Sequence, residues 1–151
     1  MAEKWPILQG VQTPYFVIDE EVLETNLEIL RYVMDQSGAR ILLAQKAFSV
    51  YQCYPQIARV LCGSTASGLY EARLGHEEMG GETHVFCPAY QDYWFDEVLT
   101  YADDVVFNSL SQWQHFKDRA LAAGVSSGLR INPMHSTQDH AIYDPCVAGS
   151  R

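Results

Sequence analysis

"ILLAQKAFS", residues 41–49, sets a lysine in an apolar run. Ile41, Leu42, Leu43 and Ala44 lead into it, and Ala47 and Phe48 follow. A short apolar run of this kind reads as a strand buried on both faces. Lysine is seldom buried unless a partner or a reaction uses it. Lys46 is therefore predicted to aim an amine into the core at the end of a strand.

Runs of the same kind recur. They are "YFVID" (15–19), "RILLAQK" (40–46), "VLCGSTA" (60–66), "THVFCPA" (83–89), "DVVFNS" (104–109) and "GLRINP" (128–133). From the second onward they return every twenty residues or slightly more, the length of one strand, one helix and two short loops. Helical patterns fill the gaps. Leu23, Leu27, Leu30 and Met34 share one helical face, with Asp19 as the expected cap and Glu20 and Glu21 at the positive end. Pro55 is expected to open "PQIARVL" at its first position. "GLYEARLGHEEMGG" is stopped by Gly80 and Gly81, and "YQDYWFDEVLTYA" follows the next strand. "SLSQWQHFKDRALAAG" begins with Ser109 and Gln112 at capping-box spacing and ends at Gly124. Tyr93, Trp94, Tyr101 and Trp113 are predicted to pack helices on the sheet.

Strands apolar on both faces and alternating with helices indicate an α/β fold with a parallel sheet. A complete β/α barrel needs eight strands and about 250 residues, and this chain of 151 offers five. It is either a small doubly wound sheet or a partial (β/α)8 TIM-type barrel that continues past Arg151. The turn-forming end "YDPCVAGSR" favours the partial barrel.

Composition narrows the function. A net charge of −9 repels phosphates, which argues against nucleic acid as a partner. No apolar run approaches a membrane span, and "MAEKWPILQG" has no signal core, so a cytoplasmic protein is expected. Cys53, Cys62, Cys87 and Cys146 form no C-x-x-C pair and have no histidine at ligand spacing, so no metal site is expected and the thiols read as reduced.

Chemistry in parallel β/α folds gathers at the carboxyl ends of strands. Those positions hold Lys46, then Ser64, Thr65 and Ser67, then Pro88, then Asn108 and Ser109, then Arg130 and Asn132. Burial disfavours a lysine's charged form. A neutral amine is a nucleophile and can bond to an aldehyde such as pyridoxal phosphate. The same pattern also suits a lysine whose charged head reaches solvent at the strand's end. Arg130 could donate to a phenolate or phosphate oxygen, or pair with a carboxylate. Ser64, Thr65 and Ser67 could bind a ligand, but serines and threonines there more often cap the next helix. Glu71 reads as a partner for that helix's positive end.

Taken together, "TPYFVIDEEVLETNLEIL", "LLAQKAFS", "STASGLYEARLG", "VFCPAY", "VVFNSLSQW", "GLRINP" and "YDPCVAGSR" resemble the carboxynorspermidine (carboxyspermidine) decarboxylases. These are pyridoxal-phosphate enzymes of bacterial polyamine synthesis, in the wider fold-type III group of alanine racemase and ornithine decarboxylase. The resemblance implies that residues 1–151 are the N-terminal part of a cofactor-binding barrel, with the C-terminal β domain absent and 13–19 a strand of that domain's sheet. It implies a carboxy-lyase that binds pyridoxal 5′-phosphate, takes a small polyamine precursor and is a homodimer at full length, with this portion inactive by itself. Lys46 matches the lysine that bonds to the coenzyme, Arg130 an arginine near its ring, and Ser67 a serine on the turn beneath it. Where the family block often has a second serine, this chain has Gly68. Alternatives within the same group are a diaminopimelate decarboxylase or a racemase. A non-catalytic pyridoxal-phosphate-binding barrel is a third, which the leading "TPYFVID" argues against.

Overall fold

The computed structural model describes Leu8 and residues 10–149. Helix α1 (Glu20–Ser37) comes first, then β1 (Leu42–Ala44), a 3-10 turn (Tyr51–Cys53) running into α2 (Tyr54–Ile57), and β2 (Gly63–Ala66). Next are α3 (Leu69–Leu74), continued by a π-helical turn (Gly75–Met79), β3 (Glu82–Phe86), α4 (Asp92–Tyr101) and β4 (Asp104–Phe107). Last come α5 (Leu110–Ala122), β5 (Ser126–Leu129) and a 3-10 turn (Ala141–Tyr143).

The five strands are all parallel and lie in sequence order, β1-β2-β3-β4-β5. Right-handed crossovers between strands taken in order put every helix on the same side. A doubly wound sheet would need a reversal of order, and none occurs here. Side-chain burial agrees with helices on one face. Ser64, Ala66, Thr83, Val85, Val105 and Phe107, alternate residues of β2, β3 and β4, are all buried. The sheet is therefore of the barrel type.

The core has two parts on that face. Around β2 to β4, α3, α4 and α5 enclose Val85, Phe95, Val98, Val105, Phe107 and Phe116. Phe95 and Phe116 lie 4.3 Å apart between ring centres, and Tyr90 meets Phe95 edge-on at 5.1 Å. Buried beneath them, Tyr90 shares its hydroxyl hydrogen between the Val85 and Val106 carbonyls, at 2.8 and 3.3 Å. Burial pushes the Tyr90 phenol well above its usual range, so it stays a donor. The second part packs Leu27 of α1 against Tyr54, Ile57, Leu61 and Met79, with Leu43 of β1 alongside. Outside, Arg119 of α5 ties α4 through Asp96 at 2.7 Å and Asp92 at 3.0 Å, and its hydrogen bond holds the Asp96 carboxyl below the usual range.

Helix signals hold where the cap is local. Asp19 Oδ1 accepts from the amides of Glu21 and Val22, and Ser109 Oγ from that of Gln112. Leu23, Leu27, Leu30 and Met34 face the core as their spacing requires. Two expectations fail. Pro55 is the second residue of a four-residue helix, because Val60 and Leu61 both fold back onto the Ile57 carbonyl. Trp94, Tyr101 and Trp113 pack on the core, but Tyr93, one position round the helix from Trp94, is exposed. Within 13–19, Phe16 is fully exposed and Tyr15, Val17 and Ile18 are partly so, and no strand among the described residues lies beside them.

Replacing Tyr90 with phenylalanine leaves two carbonyls competing for fewer donors in a dry core. We expect Tyr90→Phe to cost about 1–2 kcal/mol, a fall of roughly 2–8 °C in melting temperature for a chain of this size. Differential scanning calorimetry measures it; an unchanged melting temperature would deny the hydroxyl its role.

Candidate functional site

With helices on one face, the other face of the sheet carries the alternate residues. Register aligns Ala44, Thr65, His84, Asp104 and Ser126 in one row across it. Phe86, Val106 and Gly128 form the next row toward the carboxyl ends. This face is polar. His84 Nε2 lies 3.1 Å from Glu82, which also pairs with Arg40. Ser126 Oγ donates to Asp104 at 2.7 Å. Such groups in contact with water cost far less than under the helices.

All three predicted site residues follow strand ends on this rim. Arg130, two positions beyond Gly128, is half-buried; its Nη1 donates to Asn108 Oδ1 at 3.2 Å and its guanidinium stacks over Phe86 at 5.5 Å. Its amide continues the ladder to the Phe107 carbonyl at 2.8 Å although β5 stops at Leu129. Ser67, two positions beyond Thr65, is exposed and begins the turn into α3. Lys46, two positions beyond Ala44, is exposed as well. Lys46 and Arg130 thus follow the two outermost strands of the sheet, and Ser67 follows the strand beside β1.

The expectation that Lys46 enters the core is overturned, and strand alternation is the reason. Successive side chains of a strand point to opposite faces. Leu43 packs among the helices, so Gln45 follows it inward, and Gln45 is 1% exposed. Lys46 falls on the opposite parity, and the chain turns at once, with Ala47 and Phe48 both bonded to the Ala44 carbonyl. Nor do Ser64, Thr65 or Ser67 cap α3. Gly68 occupies that position with no side-chain bond, and Ser64 is buried instead against Gln45. The Ser67 amide is satisfied by the Glu71 carboxylate at 2.6 Å.

Gln45 joins these parts. Its Oε1 accepts from the Tyr54 hydroxyl at 3.1 Å, and its Nε2 donates to the Glu71 carbonyl at 2.8 Å and Ser64 Oγ at 3.3 Å. Burial first, and the Glu71 charge second, push the Tyr54 phenol up, so it remains a donor. Gly75, where α3 passes into its π-helical turn, lies so close that a Cβ there would collide with Ser64 Oγ and sit 2.8 Å from Gln45 Nε2. The sequence reading missed Gln45, although counting by two from Leu43 marks it as the inward residue. It also missed Phe86 beside Arg130, a pairing that depends on the register of strands far apart in sequence.

No family model matches the chain. Over 146 residues, 97% of its length, it is 38% identical to the carboxyaminopropylagmatine decarboxylase of Synechocystis. It is 39% identical over 141 residues to the carboxynorspermidine/carboxyspermidine decarboxylase of Herminiimonas arsenicoxydans, and 36% identical over 143 to that of Campylobacter jejuni. The crystal structure of carboxynorspermidine decarboxylase complexed with norspermidine, also from Campylobacter jejuni, superposes on 87% of the chain with a TM-score of 0.80 at 34% identity. The chain is similar to these decarboxylases over 93% or more of its own length. It spans 38%, 38% and 37% of the length of the three curated relatives, and 35% of the decarboxylase in the crystal. Its five-stranded parallel sheet is accordingly part of a TIM-type barrel like that decarboxylase's.

Glu71 is expected to hold the Ser67 turn in place. Glu71→Ala should speed amide hydrogen exchange at Ser67 by roughly tenfold or more, the worth of a bond to a charged acceptor, while Glu71→Gln keeps an acceptor and most of the protection. Equal exchange in all three proteins would show that the turn is held by something else.

Proposed function

We propose that this chain carries the coenzyme-bonding part of a pyridoxal-phosphate-dependent carboxy-lyase acting on a carboxylated polyamine, carboxynorspermidine or carboxyspermidine. One observation carries the reading. A chain 36–39% identical over at least 93% of its length to such decarboxylases has a lysine, Lys46, two residues beyond β1, on the rim it shares with Arg130. The similarity to the carboxyaminopropylagmatine decarboxylase adds an agmatine conjugate as a further substrate. All three substrates named are amine-bearing carboxylates.

The residues present suit an anionic, aromatic aldehyde. Lys46 supplies a primary amine reachable from solvent. Arg130 supplies a guanidinium already oriented by Asn108 and Phe86. Ser67 brings a hydroxyl to a turn whose backbone Glu71 fixes. In this reading Lys46 holds the coenzyme through its Nζ, Arg130 donates to an oxygen of its ring, and Ser67 lies beneath the ring. When bound, the coenzyme would delocalise the electron pair left when carbon dioxide departs. The protein's share is orientation: an amine, a cation and a turn held in fixed relation before substrate arrives.

The same reading makes the working enzyme a cytoplasmic homodimer, with residues 13–19 a strand of a second sheet. No helix among the described residues is long and apolar enough to cross a membrane. The exposed Tyr15, Phe16, Val17 and Ile18 are apolar surface of the kind a sheet partner would cover.

Two outcomes test this. Incubated with pyridoxal phosphate and reduced with borohydride, the chain should be labelled at Lys46 ahead of Lys4 and Lys117, as peptide mapping would show; equal labelling of the three removes the basis of the proposal. Carbon dioxide release from carboxyspermidine, carboxynorspermidine and carboxyaminopropylagmatine should be slight for these 151 residues alone, which span under two fifths of the relatives. Turnover at the rate of those decarboxylases would show that the chain needs nothing more.

A further inference from the structure

Gln45 is a buried amide placed one residue before the exposed Lys46. A buried amide is costly unless its bonds are made, and this one is bonded on three sides, by Tyr54, Glu71 and Ser64. Its orientation is fixed. The Glu71 carbonyl can only accept, so Nε2 must face it, and Oε1 is left to the Tyr54 hydroxyl. An apolar residue of the same volume would fill the space without these requirements. The amide's distinctive contribution is therefore directional: it holds the end of β1 to α2, α3 and β2 at once.

Glu71 extends the connection. Its carbonyl holds Gln45, and its carboxylate holds the Ser67 amide at 2.6 Å. Two residues of the rim, Lys46 and Ser67, are thereby tied through one connection that starts at the buried Gln45 amide and ends at the exposed Ser67 turn. Gly75 leaves no slack in it, since the space a Cβ would need is taken by Ser64 and Gln45. A π-helical turn at Gly75–Met79 begins at this contact, and such turns interrupt helices frequently at functional sites.

We propose that Gln45 is a positioning residue: its buried amide, bonded to Tyr54, Glu71 and Ser64, sets the direction in which Lys46 leaves the first strand and locks it to the Ser67 turn. This rests on the reading of Lys46 as the coenzyme lysine. Gln45 itself touches no ligand. Its effect reaches the reaction through backbone placement of its neighbour, where displacements of about 1 Å change rates by up to a hundredfold.

The test uses the three lysines as references for one another. The chain is exposed to pyridoxal phosphate, trapped with borohydride and mapped, and the ratio of label at Lys46 to label at Lys117 is read. Lys117 lies on α5, over the Trp113 ring and outside this network. In the double variant Gln45→Met/Tyr54→Phe both partners of one bond are made apolar, so no hydroxyl is stranded at position 54, while the buried Ser64 hydroxyl and the Glu71 carbonyl lose a donor and stability falls moderately. The expected result is a ratio about tenfold lower, read at a temperature where calorimetry shows the variant folded. An unchanged ratio in the folded double variant overturns the proposal. Should the double variant not fold, Tyr54→Phe alone decides: a smaller fall in the ratio supports the role, and an unchanged ratio overturns it. If the parent chain shows no preference for Lys46, the coenzyme-lysine reading fails first and takes this inference with it. A parent preference that survives substitution sinks the positioning role alone.

Discussion

Five parallel strands laid down in order, with right-handed crossovers, cannot place helices on both faces of their sheet. That constraint divides the molecule. The helix face excludes water and selects Val85, Val105 and Phe107 from β3 and β4. The other face is left to Glu82, His84, Asp104 and Ser126, whose polar atoms pair with one another along it. Chemistry can collect only where strands end on this second face, because there the side chains are free of the helices while the backbone behind them is still held by the ladder. Arg130 shows both properties, its amide bonded to Phe107 and its guanidinium braced by Asn108 over Phe86.

The rhythm of strand and helix was legible in the sequence because each unit is specified locally. A cap such as Asp19 or Ser109 satisfies the amides beside it, and the leucine stripe of α1 needs only its own spacing. What depended on parity within a single short strand was misread. β1 has three residues, too few for alternation to declare itself, and an apolar run on both faces conceals which residue turns inward. Lys46 drew attention as the charged residue of the run, while its uncharged neighbour Gln45 took the buried position. Of the site, the rim residues could be named from strand ends alone. Their companions, Phe86, Asn108 and Glu71, could be paired with them only once the register was known.

Exposure of Lys46 does not weaken its candidacy. The barrel-type sheet here presents its second face openly, and a residue on the rim of that face is exposed whenever the strands that would curl round to it are not beside it. The decarboxylases to which the chain is similar are more than twice its length. Dryness at the lysine would then come from the remainder of such a protein, and direction from this chain. Gln45 supplies that direction from the helix side, where its partner Tyr54 packs with Leu27 and Ile57.

Two buried polar pins thus serve different ends. Tyr90 ties β3 to β4 from within the aromatic cluster, where its hydroxyl bonds strand carbonyls. Gln45 belongs to the other side of the core, beside the cluster of α1 and α2, and ties a strand end to a helix turn and thence to Ser67. Apolar packing is non-directional and tolerates volume-conserving exchange. A hydrogen-bonded amide tolerates neither rotation nor displacement without leaving a buried group unpaired. Where the chain needs only cohesion, in the Phe95–Phe116 cluster, it uses rings. Where it needs one backbone direction, at the strand end before Lys46, it accepts the cost of burying an amide.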